Sequence, residues 1–184
     1  LPVDHAIKRM MELNNSTPNM DKRSKLLQSM IDCCKINKNT EMLLNVLKYV
    51  AKRHRNDLER LRYDFLEHLR SSFTLHKLSS EHWDVIYEMI KIMIYNDEIV
   101  KNYRQHFLSS ILEEMIHFRI INDMEFESII DIMIDQKLNT LNLLTEYPEY
   151  EKIVFVAFLK KFQNLIENKG LDDDVKIKIK IVFK

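Results

Sequence analysis

The sequence contains very little glycine. Gly170 is the one glycine among 184 residues, and three prolines accompany it. Average usage would give about 13 glycines in a chain of this length. Phosphate-binding loops need two or three glycines, and two-residue hairpin turns favour glycine as well. The scarcity excludes P-loop, dinucleotide-binding and protein-kinase signatures. It predicts helices joined by short polar connectors.

Cysteine and long apolar runs are also scarce. Cys33 and Cys34 are the only cysteines. Because neighbouring cysteines rarely pair, we expect two reduced thiols in a cytoplasmic or nuclear protein. The strongest uncharged apolar run, residues 153–159, has seven residues, against the ~18 that a membrane helix needs. We therefore expect no membrane partner. The chain opens on Leu1 rather than Met, so we expect a domain from a longer protein.

Motifs that carry metal or catalytic chemistry are missing from the sequence. Glu114 and His117 form a single Glu-x-x-His pair, whereas ferritin-like di-metal bundles use two such pairs and two more glutamates. There is no Cys-x-x-Cys or His-Glu-x-x-His motif for zinc, and no Gly-x-Ser-x-Gly elbow for a nucleophilic serine. We expect no metal, no cofactor and no catalytic residue, and hence a protein that is not an enzyme.

What the chain does contain is apolar residues at helical spacing. Its composition, 46% hydrophobic and 30% charged, is that of a folded protein. Apolar residues recur three and four positions apart, which predicts amphipathic helices. The helix at residues 81–95 is apolar on most faces, so we expect it to be central. The predicted helices start near residues 3, 21, 40, 56, 81, 97, 123, 138 and 148.

The C-terminal segment permits two interpretations. Residues 175–183 alternate between lysine and apolar residues, which favours a strand. The three aspartates at 172–174 suit a helix N-terminus, and Val175, Ile179, Val182 and Phe183 form a helical stripe. We favour a helix after a stop at Gly170, with a strand as the alternative.

Three predicted helix–loop–helix units begin near Thr40, Ser80 and Asp123, at intervals of 40 and 43 residues. This period resembles that of HEAT and armadillo repeats. The resemblance implies an all-α fold, with antiparallel helical hairpins stacked as a short α-solenoid in one domain over residues 1–184. An irregular helical bundle is the alternative. The predicted units are 40–78, 80–121 and 123–168. The proline and the Asp/Arg pair typical of HEAT units are absent.

Charge is balanced overall but unevenly distributed. The chain has 28 basic and 28 acidic residues. Residues 113–151 hold ten acidic and two basic residues, whereas residues 152–184 hold eight lysines and four acidic residues. The sharpest basic cluster lies at the junction of the third and fourth predicted helices. Its members, our candidate contacts with a partner or nucleic acid, are Lys48, Lys52, Arg53, Arg55, Arg60 and Arg62.

Two functions are compatible with these features. The first is a protein–protein interaction scaffold within a larger assembly, since helical repeats bind partners along exposed helix faces. The second is an RNA-binding or other nucleic-acid-binding platform, in which the basic cluster contacts phosphates. The neutral charge and a pI near 7.2 favour the first, because nucleic-acid-binding domains usually have a pI above about 9. The sequence leaves self-association open.

Overall fold

The all-α prediction is confirmed. The structure, a computed structural model, describes residues 2–55, 59–96, 102–138 and 147–182. These ranges contain nine α-helices, two short 3-10 helices at Leu75–Lys77 and Pro148–Tyr150, and no strand. The α-helices are α1 (Val3–Ser16), α2 (Met20–Ile36), α3 (Thr40–Arg53), α4 (Glu59–Ser72), α5 (Ser80–Tyr95), α6 (Asn102–Ile121), α7 (Glu127–Asp135), α8 (Glu151–Lys169) and α9 (Asp173–Val182).

Asparagines in the connectors start two of the helices. The Asn19 side chain accepts a hydrogen bond from the Lys22 N–H at 2.9 Å, and Asn39 accepts one from the Met42 N–H at 2.8 Å. Each bond satisfies one of the backbone donors left over in a first helical turn. The helix α2 therefore begins one residue before the predicted position, Asp21, and α3 begins at the predicted position, Thr40.

Within the described ranges, three helices end on a residue other than glycine in the left-handed conformation. Lys38, Asp123 and Lys137 have φ between 51° and 55°. After α2, the Asn39 N–H binds the Cys34 carbonyl at 2.9 Å and the Lys38 N–H binds the Lys35 carbonyl at 3.1 Å. The same Schellman pattern closes α6 and α7. Lysine and aspartate thus take the left-handed position at these helix ends, where glycine is the usual residue, so the turns form without glycine.

The prediction that Asp123 starts a helix is wrong. Its N–H binds the Ile120 carbonyl at 3.2 Å, and the next N–H, of Met124, binds the Arg119 carbonyl at 2.8 Å. Asp123 is therefore the left-handed residue that closes α6, and α7 begins only at Glu127. An aspartate beside an asparagine suits a helix start and a left-handed turn equally, so residue type alone did not distinguish the two.

Replacing Lys38 with glycine should stabilise the protein by about 1 kcal/mol, because glycine adopts positive φ without the steric cost that other residues meet. Urea denaturation followed by circular dichroism measures the change. The matched control is Lys25→Gly, at an exposed position inside α2, where glycine should destabilise by about 1 kcal/mol. Equal effects at the two positions would contradict the assignment of Lys38 as the helix-ending residue.

The chain divides into two compact units, Leu1–Ile99 and Val100–Lys184. In the first unit α2 packs against α1, α3 and α4, and α5 packs against α3 and α4. Both Trp83 and Ile90 of α5 are buried, as the apolar composition of that helix predicted. The neighbour pairs α2–α4 and α3–α5 each skip one helix along the chain.

The helices α2 and α4 run in the same direction. The contacts between them advance along both helices together, so the two are parallel neighbours. In order, these contacts are Asp21–Arg60, Ser24–Asp64 and Asp32–His68.

In the second unit α7 packs against α6, α8 and α9, and α8 also packs against α9. The C-terminal segment forms the helix α9, as we favoured, with Val175 and Lys178 turned inward. Gly170 ends α8 with φ 76°, and its N–H binds the Ile166 carbonyl at 2.8 Å. Residues 139–146, which hold most of the helix predicted at 138–145, lie outside the described ranges.

Candidate functional site

The structure separates the six residues of the predicted basic cluster. Arg62 is buried, with 3% of its surface exposed. Its Nη1 donates hydrogen bonds to the carbonyl of His54 at 3.0 Å and to that of Arg55 at 2.8 Å. These carbonyls follow the end of α3, where helices leave backbone acceptors without partners. The position of Arg62 is therefore structural, since it ties the end of α3 to α4.

Arg53 and Arg60 contact neighbouring helices. The Arg53 Nε donates to the Asn15 Oδ1 at 3.2 Å, which connects α3 to α1. Arg60 lies 3.8 Å from an Asp21 carboxylate oxygen and 3.6 Å from one of Asp64, all three on the surface between α2 and α4. The Arg60 charge is thus partly neutralised, as is usual for exposed ion pairs.

The remaining three basic residues line a groove between α3 and α5. Lys48, Lys52 and Arg55 lie along the α3 side, and Asp84 and Glu88 lie along α5. Ala51 and Val85 are the apolar residues of its lining, and its volume is about 480 Å³. The complete lining is Lys48, Ala51, Lys52, Arg55, Asp84, Val85 and Glu88.

Two further contacts join α3 to α5. His82 is buried, and its Nε2 donates to the Thr40 carbonyl at 2.8 Å while its Nδ1 accepts from the Ser79 hydroxyl at 2.7 Å, which is the tautomer that a carbonyl partner at Nε2 requires. An ion pair of 3.6 Å joins Lys48 to Glu81. The carboxylates of Asp84 and Glu88 in this lining repel phosphate. The groove is therefore a surface of mixed charge, which does not favour binding of a nucleic-acid backbone.

A second surface, in the other unit, was not among the predicted sites. Five large apolar side chains of α8 are between 37% and 53% exposed. The signal for this surface in the sequence is the seven-residue apolar run at 153–159, which is too short for a membrane helix. The exposed side chains are Ile153, Phe155, Val156, Leu159 and Ile166.

An adjoining side of α8 is packed. Val154, Phe158 and Phe162 are each no more than 3% exposed, and the rings of Phe158 and Phe162 stack with their centres 6.4 Å apart. An ion pair of 2.7 Å joins Lys161 to Asp131 of α7. These contacts fix the rotation of α8, so its exposed apolar residues form a stable feature of the second unit. We call Phe155, Val156, Leu159 and Ile166 the α8 face.

Charged residues hold α9 on α7. Lys178 is a buried residue whose ammonium lies 3.4 Å from Asp135 and 3.3 Å from Asp174, and Asp174 also pairs with Lys137 at 3.0 Å. Hydrogen bonds from Lys137 and Lys178 hold the pKa of Asp174 below its ordinary value. Burial lowers the pKa of Lys178, but the two carboxylates outweigh burial and raise it overall.

The directions of these pKa shifts define the pH range in which the Lys178 contacts stabilise the fold. The stabilisation from Asp174 is present above the ordinary carboxyl pKa and is lost as the pH falls through its lowered folded value. That from Lys178 is present below the ordinary lysine pKa and is lost as the pH rises through its raised folded value. Between these limits the ion pairs that attach α9 are intact.

The other residues considered in the sequence are part of the packed structure. His117 is buried, and its ring centre lies 3.9 Å from that of Tyr147 and 5.5 Å from that of Tyr150. Cys34 is buried on α2 while Cys33 is partly exposed. Burial, with a smaller contribution from Cys33, raises the pKa of the Cys34 thiol to about 12. Cys34 therefore stays protonated and poorly nucleophilic at neutral pH.

Among helices in the described ranges, none combines the length and apolar character required to cross a bilayer. No protein-family model, no curated protein and no solved structure matches this chain.

Proposed function

We propose that this chain is a non-enzymatic protein-interaction module and that the α8 face is its docking surface. The observation that carries the proposal is the cluster of large apolar side chains exposed on one side of a helix whose adjoining side is firmly packed. Exposed apolar clusters of this kind mark interaction sites. A helix face bearing apolar residues three and four positions apart suits another helix or an apolar groove.

A layered helix arrangement supports the scaffold part of this proposal. The helices α3 and α5 pack side by side across the groove, and α2 and α4 pack side by side in the same direction. Parallel packing of every second helix is what a short α-solenoid requires. In such a solenoid the repeating pairs would be α2–α3 and α4–α5, one helix earlier than the predicted unit at 40–78.

Nucleic-acid binding is the second candidate, and the groove cations Lys48, Lys52 and Arg55 favour it. Three observations weigh against it: Arg62 is buried, Arg60 lies between two carboxylates, and Asp84 and Glu88 face the groove cations. Binding of single-stranded RNA that weakens with added salt, and that is lost on replacing Arg53 and Arg55 with glutamate, would support this candidate over the first.

The variant Leu159→Glu tests the proposed function, because it places a charge in the α8 face. We expect wild-type protein on a resin to retain a specific partner from a cell extract, and Leu159→Glu to lose it with an unchanged melting temperature. The matched control is Ile36→Glu, the same kind of change at an apolar residue that is 79% exposed in the first unit. Retention of the same partner by all three proteins would refute the α8 face as the docking surface.

A further inference from the structure

We infer that the α8 face binds a second copy of this chain, with the two α8 helices antiparallel about a two-fold axis near Leu159. The inference rests on the proposed function, since it names the partner of the same surface. A two-fold interface brings one patch against itself, so the patch must be complementary to its own reversed copy. The charges that flank the α8 face, together with Leu159 at its centre, meet this requirement.

The positions of the apolar residues place them on one side of the helix. At 100° per residue, Phe155, Leu159 and Ile166 lie within about 40° of one another, and Val156 lies about 60° beyond Leu159. All four are exposed. The helix therefore presents an apolar strip about 16 Å long, at 1.5 Å per residue, interrupted by Gln163 between Leu159 and Ile166, which a second helix covers more completely than a single side chain could.

Opposite charges stand at the two ends of this strip. Lys152 precedes it and Glu167 follows it, fifteen residues apart, and both are exposed. Within the described part of the chain neither side chain forms an ion pair or a hydrogen bond. Both point to the exposed side of α8, within about 60° of each other around the helix.

Antiparallel pairing brings these charges together. The midpoint of Lys152 and Glu167 falls beside Leu159. A two-fold axis at that point therefore sets Lys152 of each copy against Glu167 of the other, which gives two ion pairs. A parallel arrangement would set lysine against lysine and glutamate against glutamate, and like charges repel. The charge pattern therefore selects the antiparallel orientation.

Between these charges the apolar contacts lie at Leu159 and Ile166, and the exposed Lys160 of each copy lies beside the axis at the edge of the interface. Leu159 meets its own counterpart at the axis, Phe155 and Val156 lie across from Gln163, and Ile166 lies across from the aliphatic stem of Lys152. A long charged side chain commonly covers apolar surface with its stem while its charged end stays in water. The apolar centre with polar ends has the layout of a protein interface, with a hydrophobic core and a polar rim.

Sedimentation equilibrium of the purified chain over a wide range of concentration tests this inference. We expect a reversible monomer–dimer equilibrium for the wild type and for Ile36→Glu. Leu159→Glu should be monomeric throughout, since two glutamates would meet at the axis. Lys152→Glu and Glu167→Lys should each weaken dimerisation about tenfold, because each substitution opposes two pairs of like charges.

The charge-swapped double variant Lys152→Glu/Glu167→Lys decides the orientation. It restores both opposite-charge pairs in the antiparallel dimer, so dimerisation should return to near the wild-type level. All of these positions are exposed, and an unchanged melting temperature shows that each variant folds. A wild type that stays monomeric, or a double variant no better than the single ones, would overturn the inference.

The experiments distinguish failure of the inferred dimer from failure of the proposed function. A monomeric wild type that still retains a partner from an extract through Leu159 would refute self-association and leave the proposed function standing, with a different protein on the α8 face. A wild-type dimer unaffected by Leu159→Glu would refute both the inferred dimer and the use of the α8 face as its contact surface.

Discussion

Replacing Ile90 with alanine should lower the free energy of unfolding by about 2–5 kcal/mol. Ile90 is fully buried on α5, which packs against α3 and α4. The substitution removes apolar contacts and leaves a cavity that packed neighbours fill only partly. Urea denaturation followed by far-ultraviolet circular dichroism measures the loss.

The matched control is Ile36→Ala, at an isoleucine that is 79% exposed. Surface changes of this kind usually alter stability by no more than about 0.5 kcal/mol. If Ile90→Ala cost as little as the control, α5 would have to be a surface helix, and the packing of the first unit described above would be wrong.

Arg62→Met should destabilise the protein by about 2–4 kcal/mol. Methionine keeps much of the length and apolar volume of arginine but removes the donors that serve the carbonyls of His54 and Arg55. A buried acceptor that loses its partner costs about 1–3 kcal/mol; the bond to the His54 carbonyl is buried, and the one to the Arg55 carbonyl is part-buried and adds less.

Arg60→Met is the control for this prediction, two residues away on the same helix. The Arg60 ion pairs with Asp21 and Asp64 are exposed, and pairs of this kind contribute at most about 1 kcal/mol. Thermal unfolding of both variants separates the two roles. A loss at position 62 no larger than that at position 60 would show that Arg62 is a surface charge, as the sequence alone had suggested.

The sequence was sufficient to predict the helices because apolar spacing and glycine scarcity are local properties. It also favoured the correct state for the C-terminal segment, where alternation had suggested a strand. Helical spacing puts Val175, Lys178 and Ile179 on one side, and Lys178 tolerates burial because Asp135 and Asp174 meet its ammonium. No pattern within residues 175–183 predicts that one of the lysines faces inward.

The candidate surfaces were harder to predict, because they depend on contacts between distant residues. Adjacent arginines look alike in a sequence, yet Arg62 lies buried against main-chain carbonyls and Arg60 lies exposed between carboxylates. Likewise, an apolar run such as 153–159 does not reveal which of its residues face inward. In α8 the surrounding helices bury Val154 and Phe158 and leave Phe155, Val156 and Leu159 on the surface.

The way in which Arg62 holds the end of α3 has a consequence for how this surface can evolve. At position 55 the bond is made to the carbonyl oxygen, which every amino acid possesses, and the Arg55 side chain is left exposed on the groove. Natural variation can therefore exchange this side chain and recruit new binding specificity, while the turn beneath it keeps its shape.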